Sequence, residues 1–208
     1  MKFVLFAEGH TEHKAVPSFL KRWLDPKLSE PVGIQSVRFE GWAELVKDAP
    51  VKAELYLSKD DVIAVIALLD LYGPTFYPDD KDTPDKRYEW AKRYLEKKVG
   101  QDKFFQFFAV HEVEAWLLSD PSIFPASVRT QVAGLSRSPE CVNSTNPPAK
   151  RLNEVYSRQT KRRYKKVVYG KDLFAKLDPH VAYGKCPHLK ELLDGMLKLA
   201  KDATGEGL

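Results

Sequence analysis

The chain predicts an α/β protein: a four-stranded, mainly parallel sheet flanked by helices, followed by a helical C-terminal extension. Three observations carry this reading. The run "VIAVIALL" (62–69) is continuously β-branched and aliphatic, as a strand buried on both faces of a parallel sheet must be. Three other short apolar runs alternate with segments of helical period, giving the order β-α-β-α-β-α-β. Beyond about residue 120 no further strand is evident, and Pro-bearing helical pieces take over.

Each element follows from its own residues. Phe3 to Ala7 is an apolar run of strand length. After "EGHTE", Val16, Phe19, Leu20, Trp23 and Leu24 recur at helical spacing, with Pro17 tolerable only in a first turn. "GIQSVRFEG" (33–41) suits a second strand by length and alternation. "WAELVKDAPVKAELYLS" (42–58) reads as helix, broken near Pro50. After the strand at 62–69, "DKRYEWAKRYLEKKVG" (85–100) is an amphipathic helix ending at Gly100. "KFFQFFAV" (103–110) makes the fourth strand, and "HEVEAWLLSD" opens the next helix. Residues 1–120 are therefore expected to form the α/β domain. Residues 121–208 form a helical, basic extension packed on it. Within that part, 134–148 reads as a mobile linker or loop and "ATGEGL" as a frayed end.

Composition narrows the class. A hydrophobic content of 43% supports a core. No run approaches the roughly 20 apolar residues of a membrane span. The opening apolar stretch reaches Glu8 too soon for a signal peptide, so a cytoplasmic protein without a membrane partner is expected. Cys141 and Cys186 are the only cysteines and imply no disulfide framework. Cys186 stands two residues before His188, a spacing better read as a half-buried cysteine ahead of a helix. The net charge of +4 is uneven: Lys150 to Lys176 holds ten basic residues against two acidic ones. That excess points to a polyanion-facing surface.

In an open α/β sheet, ligands bind at the carboxyl ends of the strands. Here the first strand ends at Glu8, with Glu12 one turn on; the third ends at Asp70; the fourth ends at His111, with Glu112 and Glu114 following. Crowded carboxylates require a cation or raised pKa values. Mg²⁺ and Mn²⁺ take such oxygens and leave positions for phosphates. The acidic stretch "YPDDKDTPD" reads as a solvated loop, and His10 and His13 as surface residues rather than zinc ligands. No "GxGxxG" or "GxxxxGK[ST]" is present, which leaves a nucleotide-binding domain weakly supported.

"AEGHTE" and "LLDLYG" resemble the first two motifs of the TOPRIM (topoisomerase–primase) superfamily, in the two-glutamate form of the overcoming-lysogenization-defect nucleases. Tyr72 stands where the second aspartate of an Asp-x-Asp pair is expected. The ordered set Glu8–Glu12, Asp70–Gly73, His111–Ala115, Pro148–Arg151, Tyr164–Lys166 and Cys186–His188 resembles a bacterial family of TOPRIM-like domains of unknown function. The resemblance implies a TOPRIM-like sheet and a Mg²⁺- or Mn²⁺-dependent nuclease. It also implies an anti-phage defence setting with an ATPase partner protein.

On this reading Glu8, Glu12 and Asp70 hold the metal. Glu8, Asp70, His111 and one of Glu112 and Glu114 form the catalytic set, because residues two apart on a helix point in opposite directions. Lys150, Arg151, Arg162, Arg163, Lys165 and Lys166 contact the phosphates of DNA or RNA, with Tyr164 stacking on a base. The alternative is a non-catalytic TOPRIM-like module that binds nucleic acid or a partner protein, its chemistry lost with the second aspartate.

Overall fold

The computed structural model describes residues 1–142 and 146–206. In chain order the elements are β1 (Lys2–Ala7), α1 (His10–Leu24), β2 (Gly33–Arg38), α2 (Trp42–Leu57), β3 (Val62–Asp70), α3 (Pro84–Val99) and β4 (Phe104–Ala109). The remainder is helical: α4 (Glu114–Leu118), α5 (Ala126–Val132), α6 (Pro148–Thr160), α7 (Lys166–Lys176), α8 (Pro179–Lys185) and α9 (Pro187–Thr204). The four strands form one sheet in the order β2-β1-β3-β4, every pair parallel. This is the α/β architecture the apolar runs predict.

Parallel strands need covered faces, and the sequence supplies two different covers. On one face, Val4, Phe6, Val65, Ala67, Leu69 and Phe108 pack with Leu45, Ala49 and Ala53 of α2 and Tyr88, Ala91 and Leu95 of α3. On the other, Phe3, Leu5, Ile66, Leu68 and Phe107 join α1 and the helices from α4 to α9 in one continuous buried cluster. The C-terminal helices thus complete the core that the sheet and α1 begin.

Four local expectations change. Pro17, expected only in a first turn, lies inside α1, where the buried stripe of Val16, Phe19, Leu20 and Trp23 holds the helix across it. α2 runs unbroken through Pro50. Its buried residues Leu45, Ala49 and Ala53 keep one apolar stripe across the proline, so packing outweighs the single lost backbone bond. The 134–148 stretch contains ordered turns at Ala133–Leu135 and Pro139–Cys141, and Glu140 within it is buried. Residues 143–145 of that stretch lie outside the described residues. At the C-terminus α9 continues to Thr204, and Glu206 accepts hydrogen bonds from Ser29. Among the described residues no helix is long and apolar enough to cross a membrane.

Candidate functional site

β1 and β3 are hydrogen-bonded neighbours, so their carboxyl ends lie side by side. The backbone N–H of Asp70 donates to Glu8 Oε2 at 3.2 Å. Glu12 lies in the first turn of α1 and is 3% exposed. A Cβ on Gly9 would overlap Glu12 Oε2, so glycine at this turn is what lets the carboxylate fold back over the chain. Asp70 Oδ1 accepts from the N–H of Val113 at 3.2 Å. Glu114, fully buried at the start of α4, completes the cluster.

The cluster has a cation at its centre. Lys166 Nζ, at the start of α7, lies 3.1 Å from Glu12 Oε1, 3.3 Å from Asp70 Oδ2 and 3.1 Å from Glu114 Oε2. Its side chain is 32% exposed, whereas the three carboxylates are 5%, 14% and 0% exposed. Glu12 Oε1 and Glu114 Oε2 receive no hydrogen bond of good geometry among the described residues. The ammonium is their counter-charge. A pocket of about 220 Å³ opens beside it, lined by Glu8, Glu12, Gly41, Asp70 and Lys166.

The electrostatics follow from burial. Desolvation pushes Asp70 well above the ordinary aspartate value; Lys166 opposes this, and Glu12, Glu114 and Glu8 add to it. Glu114 is raised to about 7 by burial, with Lys166 opposing and Glu12 reinforcing. Glu8 is raised by burial and by Glu12. Lys166 is itself held well above the ordinary lysine value: burial opposes its charge, but Asp70, Glu114 and Glu12 outweigh it.

The other expected residues divide sharply. Glu112 does not join the cluster; its Oε2 accepts from the N–H of Ala149 at 2.8 Å and caps the start of α6. Of the two acids, Glu114 is the one that faces the site. His111 is 6% exposed and lines a separate cavity. Lys150, Arg162, Arg163 and Lys165 are exposed, and Arg151 is half-buried with Nη1 3.7 Å from Glu154.

Tyr164, expected to stack on a base, is only 7% exposed. Its hydroxyl lies 3.4 Å from Glu114 Oε1, and its ring packs against Tyr156 and Tyr169. Tyr72 is 46% exposed and takes no part in the cluster's ion pairs. Among the described residues, no three His, Cys, Asp or Glu side chains are grouped as metal ligands.

The fold and site define an α/β protein whose parallel sheet ends in a buried carboxylate cluster. The chain belongs to the family described as a domain of unknown function (DUF4276), whose model matches residues 7–197. Two solved structures are similar to it. The C-terminal region of the Burkholderia pseudomallei OLD protein has a TM-score of 0.46 and 16% identity over 92% of this chain and 98% of that one. The C-terminal region of the Xanthomonas campestris pv. campestris OLD protein has a TM-score of 0.46 and 14% identity over 99% and 97%. No curated protein matches the chain.

Proposed function

We propose that this chain is a phosphodiester-cleaving protein that works with one Mg²⁺ or Mn²⁺ ion held by Glu8, Glu12 and Asp70. The observation that carries the reading is the convergence of Glu12, Asp70 and Glu114 on one point already occupied by a positive charge, with Glu8 held beside them by the Asp70 N–H. The donor set suits a hard divalent cation, since it consists of carboxylate oxygens; Glu12 Oε1 within it, and Glu114 Oε2 next to it, lack any hydrogen bond of good geometry among the described residues. Such an ion, when bound, would polarise a phosphodiester oxygen. It would also free the Lys166 ammonium to pair with a phosphate. Glu114 stands where a further ligand or general base is needed. The exposed Lys150, Arg162, Arg163 and Lys165 would position a DNA or RNA backbone. On the TOPRIM resemblance alone, we extend the proposal to a cytoplasmic role in anti-phage defence with an ATPase partner.

The three ion pairs of Lys166 also favour a second reading. In it the ammonium is the permanent cation, Tyr72 marks lost chemistry, and the chain is a non-catalytic module that binds nucleic acid or a protein. Calorimetry with Mn²⁺ and Mg²⁺ on wild type and Asp70→Asn, paired with cleavage assays on DNA and RNA, separates the two. The nuclease reading expects one ion bound by wild type, none by the variant, and cleavage lost with it. A wild type that binds no ion and cleaves nothing leaves the non-catalytic module.

A further inference from the structure

The stretch from Val110 to Glu114 separates the carboxylate cluster from a second and larger concavity. Val113 and Glu114 serve the cluster, whereas Val110 and His111 line a cavity of about 1080 Å³. The far wall comes from the 137–141 turn and the corner between α8 and α9. Arg137, Lys185, His188 and Lys190 bring positive charge to it, and Asp85 and Glu140 bring negative charge.

The negative charge is largely spent. Glu140, 7% exposed, accepts the backbone N–H groups of His188 and Leu189 in the first turn of α9, at 2.9 and 3.2 Å. Its Oε2 also lies 3.0 Å from His188 Nδ1. A carboxylate beside Nδ1 accepts the proton on that nitrogen and favours the imidazolium, whose second N–H at Nε2 is then free to donate to an anion. Lys185 is anchored by its bond to the Ser119 carbonyl at 2.6 Å, and Lys190 Nζ lies 5.1 Å from the centre of the Tyr183 ring.

His111 supplies the observation that points to a ligand. It is 6% exposed, it lines the cavity, and its ring makes no hydrogen bond among the described residues. An imidazole that is mostly covered, but whose nitrogens open on the cavity with no protein partner, is placed to hydrogen-bond a bound polar group.

We propose that this cavity binds the phosphate-bearing part of a nucleotide, with Arg137 and Lys190 as charge partners and His111 and His188 as hydrogen-bond donors. The volume suits a ligand of nucleotide size, since sites for small organic ligands measure about 300–1,000 Å³. A bare phosphate would leave most of it empty. The assignment to a nucleotide rests on the nuclease reading: a strand with one phosphodiester at the carboxylates would continue across the 110–114 stretch.

The test is calorimetry on the full chain in EDTA with adenosine 5′-monophosphate and, separately, inorganic phosphate. The monophosphate is expected to bind wild type, and Arg137→Ala and Lys190→Ala are expected to weaken it about tenfold each. Both side chains are exposed, so these variants keep the fold even where His111→Gln does not. No binding by wild type, or binding that neither variant weakens, overturns the proposal. Inorganic phosphate binding as tightly as the monophosphate overturns the nucleotide assignment. Because no metal is present, nucleotide binding that persists in a protein unable to bind Mn²⁺ sinks the nuclease reading and leaves the cavity standing. Mn²⁺ binding without nucleotide binding does the reverse.

Discussion

The carboxylate cluster and the histidine cavity share one short stretch of chain but handle charge in opposite ways. In the cluster, Glu12, Asp70 and Glu114 surround a single lysine, with Glu8 beside them, at a pocket of about 220 Å³. In the cavity, each charge has its own local partner or open space, and about 1080 Å³ stays accessible. The cluster is therefore fragile to the loss of one residue and the cavity is not. A site whose balance hangs on one lysine ammonium is, on the proposed reading, the one where a metal ion would take that ammonium's place. A site whose charges are satisfied one by one suits reversible capture of an anion.

The largest effect is expected from removing the central cation. Lys166→Met leaves Glu12, Asp70 and Glu114 without their counter-charge, and breaking a buried ion pair on one side costs about 3 kcal/mol. Urea denaturation at pH 8, with and without Mn²⁺, measures it. On the proposed reading Mn²⁺ restores more of the variant's stability than it adds to wild type, because the metal then meets no competing ammonium. A variant as stable as wild type without metal would mean that the acids are neutralised by protons alone.

Much of this was legible in the sequence, and the part that was not has a physical reason. The strands could be read because burial on both faces imposes runs such as "VIAVIALL", and Glu8, Glu12 and Asp70 because strand ends locate a sheet edge. Lys166 could be read only as basic, since its partners lie up to 154 residues away and a basic run looks like a solvated face. Tyr164 looked like a stacking aromatic among arginines, yet its ring completes a tyrosine cluster beneath the acids. Glu140 was hidden for the same reason. It sits among Ser and Pro residues that signal a loop, and its role as the cap of α9 depends on a helix start 47 residues further on.

Two glycines sharpen the contrast at intermediate size. Gly170 of α7 faces α1, and a Cβ there would stand 2.8 Å from Thr11 Cγ2, inside normal contact. Gly170→Ala is expected to cost about 1–2 kcal/mol by pushing the helices apart, and to loosen Lys166 at the start of the same helix. Gly184 of α8 borders the cavity, and a Cβ there meets nothing within 4 Å. Gly184→Ala is expected to stabilise by about 0.5–1 kcal/mol, the ordinary gain for a helical glycine with room around it. Urea midpoints of the two variants test the pair. Equal shifts of the same sign would erase the distinction between a closed and an open site.

The smallest effect is a pH signature confined to the cavity. Burial pushes His188 down, but the hydrogen bond and charge of Glu140 outweigh it, with Asp85 and Glu191 adding to them, and the imidazole ends above its ordinary value. The folded state then holds more protons than the unfolded one just above pH 6.5. The stabilisation is complete below that pH and is lost as pH rises through the raised value. His111 shifts the other way: burial, Arg87 and His188 lower it, with Glu140 opposing. The folded state resists its protonation, so stability falls as pH drops below 6.5. The two histidines therefore tilt the pH profile in opposite directions. Thermal melts from pH 5.5 to 8.5 should show His188→Gln losing least, relative to wild type, at the alkaline end. His111→Gln should lose least at the acid end, where wild type carries the cost of a reluctant imidazole. Parallel profiles for all three proteins would mean that neither ring is set by the Glu140 side of the cavity, and its donors would have to be reassigned.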